Sequence, residues 1–203
     1  MATPPKQARS IATEQKMIDA AQDLIRGGDS RQVTVENVTK LSGTKVSSFY
    51  ARFGSIEGLF VAIQKRHRSA FNETTIVRGY ERALQQTDLR SALHEVFKPV
   101  IEFARRENKA INYLLLYPNV DDAAVVAQRK TFVTYLHQIV LQHREEVAQN
   151  DLRRASENVY RMSYAMFMHV ALEEPSALFG RKTSLSSMVD LTTQMAYAYL
   201  TTE

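Results

Sequence analysis

Residues 34–53 read TVENVTKLSGTKVSSFYARF and contain two short helical patterns separated by a glycine. Thr34 is suited to cap the first helix, because its side-chain oxygen can accept a hydrogen bond from a free N–H group of the first turn. Gly43 is suited to end that helix, since glycine adopts the left-handed conformation of a C-terminal cap at little cost. Apolar residues at spacings of three predict one buried face for this helix: Val35, Val38 and Leu41.

The second pattern predicts a helix that opens at Thr44. Its apolar residues recur at helical spacing, so one side is expected to pack inward: Val46, Phe49, Tyr50 and Phe53. Short polar or cationic side chains lie largely off that set and suit contacts with base edges and phosphates in a major groove: Lys45, Ser47, Ser48 and Arg52. The two patterns together predict a helix-turn-helix, although any two packed helices that meet at a glycine fit the same spacing.

Three segments resemble the N-terminal domain of the TetR family of bacterial repressors: IDAAQDLI at 18–25, TVENVTKLSG at 34–43 and SSFYARFGSIEGLF at 47–60. The resemblance covers roughly residues 10–65, and the remainder is similar to the family only in length and helical character. It implies that the helix over 18–25 supports the motif and that a linking helix opens at Ser55. Ile56 departs from the pattern, because the family commonly has a phosphate-binding Lys there.

The sequence outside the motif predicts helices only, so the fold class is all-α. A flexible tail over residues 1–10 is expected to precede a helix from about Thr13 to Arg26. The helix that opens at Ser55 is expected to run to about Phe71, and residues 72–87 to form a linker with a short helical turn. Further helices are predicted in five segments by apolar periodicity and by flanking caps and prolines: 89–107, 109–117, 121–149, 152–173 and 185–200.

We divide the chain into a helix-turn-helix DNA-binding domain, residues 1–70, and a helical ligand-binding and dimerisation domain, residues 71–203. The net charge is +4. Residues 1–70 hold 11 Lys or Arg against 6 Asp or Glu, and residues 71–203 hold 15 against 16. A basic first domain favours a phosphate-bearing partner, while a solvated basic surface without a partner has the same composition.

Several classes of chemistry have no support in the sequence. The chain has no cysteine, which excludes a disulfide framework, thiol catalysis and cysteine-based zinc sites. No two histidines have the i, i+4 spacing of a helical metal site, and there is neither a glycine-rich phosphate loop nor a Gly-x-Ser-x-Gly elbow. We therefore expect no enzyme activity, no cofactor and no metal. No signal peptide or membrane span is visible, and a soluble cytoplasmic protein is expected.

The resemblance implies a homodimer that places two recognition helices in successive major grooves of double-stranded operator DNA. We expect Lys45 to contact a base or a phosphate, Val46 a thymine methyl group and Ser47 base edges. Phosphate contacts that fix the register are expected of Thr34, Ser48, Tyr50 and Arg52, and Thr44 belongs to the same DNA-binding set. Val46 and Tyr50 have a competing interpretation, which is packing in the interior.

The resemblance also implies that the last two long helices pair with those of a second subunit, while burial inside a monomer explains the same apolar patterns. The last helix carries an apolar stripe: Leu185, Met188, Val189, Thr192, Met195, Ala196 and Tyr199. A small-molecule effector is expected in the helices after the linker. The candidates for a largely apolar pocket, each with core packing as the alternative, are Phe103, Tyr113, Tyr117, Phe132, Tyr135, Tyr164, Phe167 and His169.

These features favour a homodimeric repressor that a small-molecule effector releases from a palindromic operator. A helical small-molecule carrier or enzyme without DNA binding is the alternative, and it would not need the motif over residues 34–53. An activator, or a DNA-binding protein without an effector, has the same sequence features, because the sign of regulation depends on where the operator lies.

Overall fold

The computed structural model of the chain describes residues 6–28, 30–115, 122–172, 180 and 183–202. It divides into two compact units, Met1–Arg68 with Lys109–Val120, and Ser69–Asn108 with Asp121–Glu203. The described residues form helices and turns and contain no strand, which confirms the all-α class. No helix in this part of the chain has both the length and the hydropathy that crossing a membrane requires.

The described residues contain ten α-helices. In chain order they are α1 (Lys6–Arg26), α2 (Val35–Ser42), α3 (Val46–Phe53), α4 (Ile56–Phe71), α5 (Arg78–Ala83), α6 (Leu89–Arg106), α7 (Asn108–Leu115), α8 (Asp122–Gln142), α9 (Leu152–Leu172) and α10 (Leu185–Thr201). Short 3-10 turns cover Ser30–Gln32 and Arg144–Glu146, and π-helical turns cover Asn72–Val77.

The core of the first unit forms where the apolar faces of α1 and α4 meet α2 and α3. Its central buried side chains are Met17, Ile18, Ala21, Val38, Phe49, Leu59, Phe60 and Ile63. The Nζ atom of Lys109 donates to the carbonyl oxygen of Arg26 at 2.9 Å, so α7 supplies a cation to the negative C-terminal end of α1.

The second unit has a core of α6, α8, α9 and α10. The buried apolar residues of α8 and of the turn after it include Phe132, Leu136, Ile139, Val140 and Val147. Gly79 on α5 allows a close approach to α6, because a Cβ atom at this position would lie 3.1 Å from the backbone oxygen of Glu95 and 3.2 Å from Cγ of Pro99. A Cβ atom at Gly79 would require these neighbours to shift by a few tenths of an ångström.

Two predictions in the N-terminal half are wrong. The first helix begins at Lys6, so residues 6–10 are helical and not part of a tail. Residues 72–83 do not form a linker, since π-helical turns follow α4 and lead into α5. A π-helix advances the chain by more residues per turn than an α-helix. The apolar residues consequently lose the 3.6-residue period there, and the sequence falsely suggests a break.

The predicted end of α8 is also wrong, because the helix ends at Gln142 and not near Gln149. Tertiary hydrogen bonds hold the following turn. The Glu146 carboxylate accepts from the backbone N–H of Leu89 at 2.8 Å, and the N–H of Ala148 donates to the Leu200 carbonyl at 2.8 Å. These bonds join the segment to the start of α6 and the end of α10, where a continued helix would not place it.

Candidate nucleic-acid interface and effector region

The start of α2 has the predicted cap. Thr34 has an extended backbone, and its Oγ1 accepts from the N–H of Asn37 at 3.2 Å. The Asn37 side chain adds a second bond, from Nδ2 to the carbonyl oxygen of Gln32 at 2.9 Å. Gly43 ends the helix with φ 65° and ψ 30°, a left-handed conformation that glycine adopts readily. Both predicted ends of this helix are confirmed, whereas the role of Asn37 was not expected.

The buried face of α2 differs from the prediction at one position. Leu41 is 56% exposed, and Thr39 is buried in its place. The hydroxyl of Thr39 is satisfied inside the helix, since it donates to the carbonyl oxygen of Val35 at 2.8 Å. The inward stripe follows positions 35, 38, 39 and 42, at i, i+3, i+4 and i+7, and Leu41 lies beside it. A run of residues at a strict spacing of three drifts off a helical face.

The helix α3 begins differently from the prediction. Its N-cap is Lys45 and not Thr44, and no side chain caps its first turn. The Oγ1 atom of Thr44 lies instead 2.7 Å from Oγ of Ser42, inside the turn. An uncapped helix start leaves N–H groups and the positive end of the helix dipole available to a phosphate.

The inward packing expected of α3 is wrong for two of its four apolar residues. Phe49 is fully buried and lies 5.1 Å, ring to ring, from the half-buried Phe53. Val46 is 49% exposed and Tyr50 is 52% exposed. This short helix buries a narrow stripe centred on Phe49, so the residues on the flank of that stripe face outward. The exposed surface of α3 thus consists of Lys45, Val46, Ser47, Tyr50 and Ala51.

Arg52 has contacts that the sequence did not predict. Its Nη1 donates to the Ser48 carbonyl at 3.0 Å, and its Nε donates to the carbonyl oxygen of Ser10 at 3.4 Å. The guanidinium therefore joins α3 to the early turns of α1. A guanidinium has five donors, so donors remain for a phosphate after these contacts.

The connection from α3 to α4 is the tightest contact in the motif. Ser55 accepts from the N–H of Gly58 at 3.3 Å and so caps α4 as predicted. A hydrogen bond from Ser55 lowers the pKa of the exposed Glu57 carboxyl. A Cβ atom at Gly58 would lie only 1.9 Å from the backbone oxygen of Phe53. Gly58 therefore allows the last turn of α3 to lie directly against the first turn of α4, which fixes the position of α3.

Four of the aromatic effector candidates lie in one chain of ring contacts in the second unit. Phe71 lies 4.8 Å from Phe103 and 5.7 Å from Phe167. Tyr164 stacks on Phe167 at 6.4 Å and on Tyr160 at 6.0 Å. Phe132 meets Tyr160 edge-on at 5.8 Å. Phe71 and Tyr160 complete this aromatic chain, and neither was predicted. The i, i+4, i+7 spacing of residues 160, 164 and 167 was the signal available for Tyr160.

Three further candidates lie at other positions of the described part of the chain. Tyr135 stacks on Tyr80 at 4.2 Å, and the Tyr80 hydroxyl donates to Gln138 at 2.7 Å. Tyr113 belongs to the first unit, where it meets Phe60 at 5.4 Å. His169 is half-buried on α9. Tyr117 lies outside the described residues.

The helices α9 and α10 both expose apolar side chains. On α10, Val189, Thr192 and Ala196 are buried, as the predicted stripe requires, while Met195 is 41% exposed beside Leu191 at 42%. On α9, Leu172 is exposed near the end of the helix. The apolar stripe of α10 is therefore divided between the core and the surface.

Residues 17–63 match the model of the bacterial regulatory proteins of the tetR family. The chain carries the helix-turn-helix domain of the TetR family. This match confirms the resemblance seen in the sequence, and it spans α2, α3 and about half of each of α1 and α4. Comparison with curated proteins gives no match.

Solved structures of TetR-type regulators share the fold across both units. AibR, in complex with isovaleryl coenzyme A and operator DNA, has a TM-score of 0.64 at 14% identity, covering 90% of this chain and 97% of AibR. PfmR from Thermus thermophilus has a TM-score of 0.60 at 16% identity, covering 91% and 96%. The fatty acid degradation regulator FadR from Bacillus halodurans has 0.63 at 13% identity, covering 97% of each chain. The TetR-type fold therefore extends over the second unit.

Proposed function

We propose that this chain is a homodimeric transcriptional repressor that binds a palindromic operator through α3 and leaves it when a small molecule binds the second unit. The observation that carries the proposal is the exposed surface of α3. Lys45, Val46, Ser47 and Tyr50 face outward together from an uncapped helix in a TetR-family domain. A carrier or enzyme without DNA binding would not need this surface.

The exposure of α3 supports a division of roles among its residues. Lys45, at the helix start, is assigned a contact with a base or a phosphate, and Ser47 is assigned contacts with base edges. Val46 is assigned a thymine methyl group, because its exposure removes the alternative of core packing. The exposed hydroxyl of Tyr50 is assigned a phosphate.

Residues beside this surface are assigned contacts with phosphates that fix the register of the motif on DNA. Thr34 keeps its hydroxyl hydrogen as a donor while its oxygen caps α2. Ser48 is half-buried, and Thr44 contacts Ser42 in the turn. Arg52 is assigned a phosphate with the donors that remain after its contacts with α1 and α3. Ile56 supplies no cation, so phosphate binding at the start of α4 rests on the backbone N–H groups.

The exposed apolar residues of α9 and α10 support the dimer. Leu191, Met195 and Leu172 are large apolar side chains that a second copy of these two helices would cover. Two recognition helices would then reach successive major grooves about 34–36 Å apart on one face of DNA.

The aromatic chain of the second unit supports an effector site there. Phe103, Phe132, Tyr164 and Phe167 are assigned to it, together with Phe71 and Tyr160. The neighbour AibR was solved with an acyl coenzyme A and operator DNA together, which supports a small-molecule effector for a chain of this fold. An effector shifts the equilibrium only by its difference in affinity between the DNA-binding and released conformations.

The test is to capture fragmented genomic DNA from the source organism with the purified protein and to sequence it. We expect enrichment of a short inverted repeat, and we expect Lys45→Ala to reduce the enrichment. Lys16→Ala removes the same charge from an exposed position on α1 and is the matched control. Absence of any enriched sequence at low salt, with protein refolded to remove a bound ligand, would refute operator binding.

A further inference from the structure

A cleft of about 480 Å³ lies between α8 and α9 within the second unit. Each wall is one face of a helix. Residues 126, 129, 130 and 133 of α8 have i, i+3, i+4, i+7 spacing, and residues 153, 157, 160 and 164 of α9 have i, i+4, i+7, i+11 spacing. The volume is in the range of small-molecule sites.

The charges in this cleft are strongly unequal. Four cationic side chains line it, Arg129 and Lys130 on α8 with Arg153 and Arg161 on α9. Among the described residues that line the cleft, Glu157 is the only one with a carboxylate. Glu157 lies 3.6 Å from Nε of Arg153 and 3.7 Å from Nη2 of Arg161, so two arginines share one acid. Residues 71–203 as a whole hold nearly equal numbers of cations and anions, and the positive excess is therefore local.

The same cleft contains two stacked aromatic rings. Tyr160 and Tyr164 lie 6.0 Å apart with their planes at 17°. The guanidinium carbon of Arg129 lies 5.5 Å from the centre of the Tyr164 ring. Burial raises the pKa of Tyr160, against the opposing effect of Arg129. Its hydroxyl thus stays neutral near pH 7 and is able to donate a hydrogen bond. The cleft therefore combines cationic side chains, a hydroxyl donor and two rings of the aromatic chain, Tyr160 and Tyr164.

We propose that this cleft binds an organic anion. Its carboxylate, sulfonate or phosphate group contacts Arg129, Lys130, Arg153 and Arg161, and its apolar part lies against Tyr160 and Tyr164. A neutral ligand would gain nothing from the positive excess of this lining, and a cationic one would be repelled. The inference rests on the proposed function, since it gives the charge class of the effector and locates its anionic group.

The test uses two fluorescent probes that differ by one anionic group. They are 8-anilino-1-naphthalenesulfonate and its neutral counterpart N-phenyl-1-naphthylamine, each titrated into the full-length protein. We expect the double variant Arg153→Gln/Arg161→Gln to weaken binding of the sulfonate by about tenfold or more, as loss of a hydrogen bond between charged groups does. Its affinity for the neutral probe should change little.

A second variant changes affinity in the opposite direction. Glu157→Gln removes the acid that occupies Arg153 and Arg161, so we expect it to bind the sulfonate more tightly, by severalfold. Unfolding cannot imitate this result selectively, because loosened proteins bind such probes through exposed apolar surface and would take up the neutral probe as well. Arg154→Gln removes one charge from an exposed position on α9 outside the cleft and is the matched control.

Equal weakening by Arg154→Gln and by the double variant Arg153→Gln/Arg161→Gln, or no gain in Glu157→Gln, would overturn the anion site. The same variants are tested for binding to the enriched operator without a probe, where we expect wild-type affinity. If the operator binds normally but the substitutions leave the probe affinities unchanged, the anion site is refuted and the proposed function stands. If the probe affinities change as expected but no operator is bound, the proposed function is refuted and the anion site stands.

Discussion

Replacing Gly58 by alanine should displace α3 from its position in the first unit. The new Cβ atom would lie 1.9 Å from the carbonyl oxygen of Phe53 and 2.9 Å from its carbonyl carbon. Both contacts are with backbone, so no rotamer change relieves them. The two helix ends must separate by about 1.5 Å to restore an ordinary van der Waals contact, which begins at 3.4 Å for a Cβ atom. Overpacking of this kind typically costs about 1–3 kcal/mol.

Alanine is also the better helix former, and it would return up to about 1 kcal/mol at an unstrained helical site. The net loss of unfolding free energy in Gly58→Ala is therefore about 1–2 kcal/mol. Chemical denaturation followed by circular dichroism measures it, and operator affinity should fall as well, because α3 no longer lies where Phe49 and Phe53 place it.

Gly27→Ala is the matched control for this experiment. Its Cβ atom would lie 3.2 Å from the Leu24 carbonyl oxygen, a tight but tolerable contact, so the free energy of unfolding should change by less than about 1 kcal/mol. Equal stability and equal operator affinity of the two alanine variants would refute the conclusion that Gly58 fixes the position of α3.

Three further substitutions test other parts of the structure. Lys45→Ala should weaken specific operator binding by about 1–3 kcal/mol if the side chain contacts a base, and unchanged affinity in a titration would remove Lys45 from the interface. Asp88→Ala should destabilise the protein by about 1 kcal/mol near pH 7, because the Asp88 carboxylate caps α6 through the Ser91 N–H at 2.8 Å. That bond lowers the pKa of the Asp88 carboxyl below its ordinary value of 3.8, so the cap stabilises the folded protein fully above that pH. In denaturation curves, the difference in unfolding free energy between wild type and variant should shrink as the pH falls through the lowered pKa. Leu191→Lys should dissociate the proposed dimer in sedimentation experiments, whereas Leu141→Lys, at a similarly exposed position on α8, should leave it intact; dissociation by both or by neither would contradict an interface on α10.

The ends of the short helices were predictable because their causes are local. Thr34 and Gly43 act within a few residues of their own positions, and so does Ser55. The exposure of Leu41, Val46 and Tyr50 was not predictable in the same way. An eight-residue helix covers too few turns for periodicity to locate the centre of its buried stripe, and its neighbours decide which flank is covered.

Long-range contacts account for the other differences. The end of α8 depends on hydrogen bonds to Leu89 and Leu200, which lie far away in the sequence. In the sequence, Gly58 is an ordinary glycine near a helix start. Its importance for the position of α3 depends on where the Phe53 carbonyl lies. The cations of the cleft are separated by up to 32 residues, from Arg129 to Arg161, and only the packing of α8 on α9 brings them together.

The contact between Arg52 and Ser10 bears on how the protein is handled at the bench. The carbonyl and hydroxyl oxygens of Ser10 lie 3.4 and 3.5 Å from guanidinium nitrogens of the helix assigned to DNA. Ser10 lies just over one helical turn after Lys6, where α1 begins. An affinity tag fused directly before Lys6 would therefore lie close to the assigned DNA-binding surface, and a polyhistidine tag could add its own phosphate contacts. Binding constants should be measured after such a tag has been cleaved.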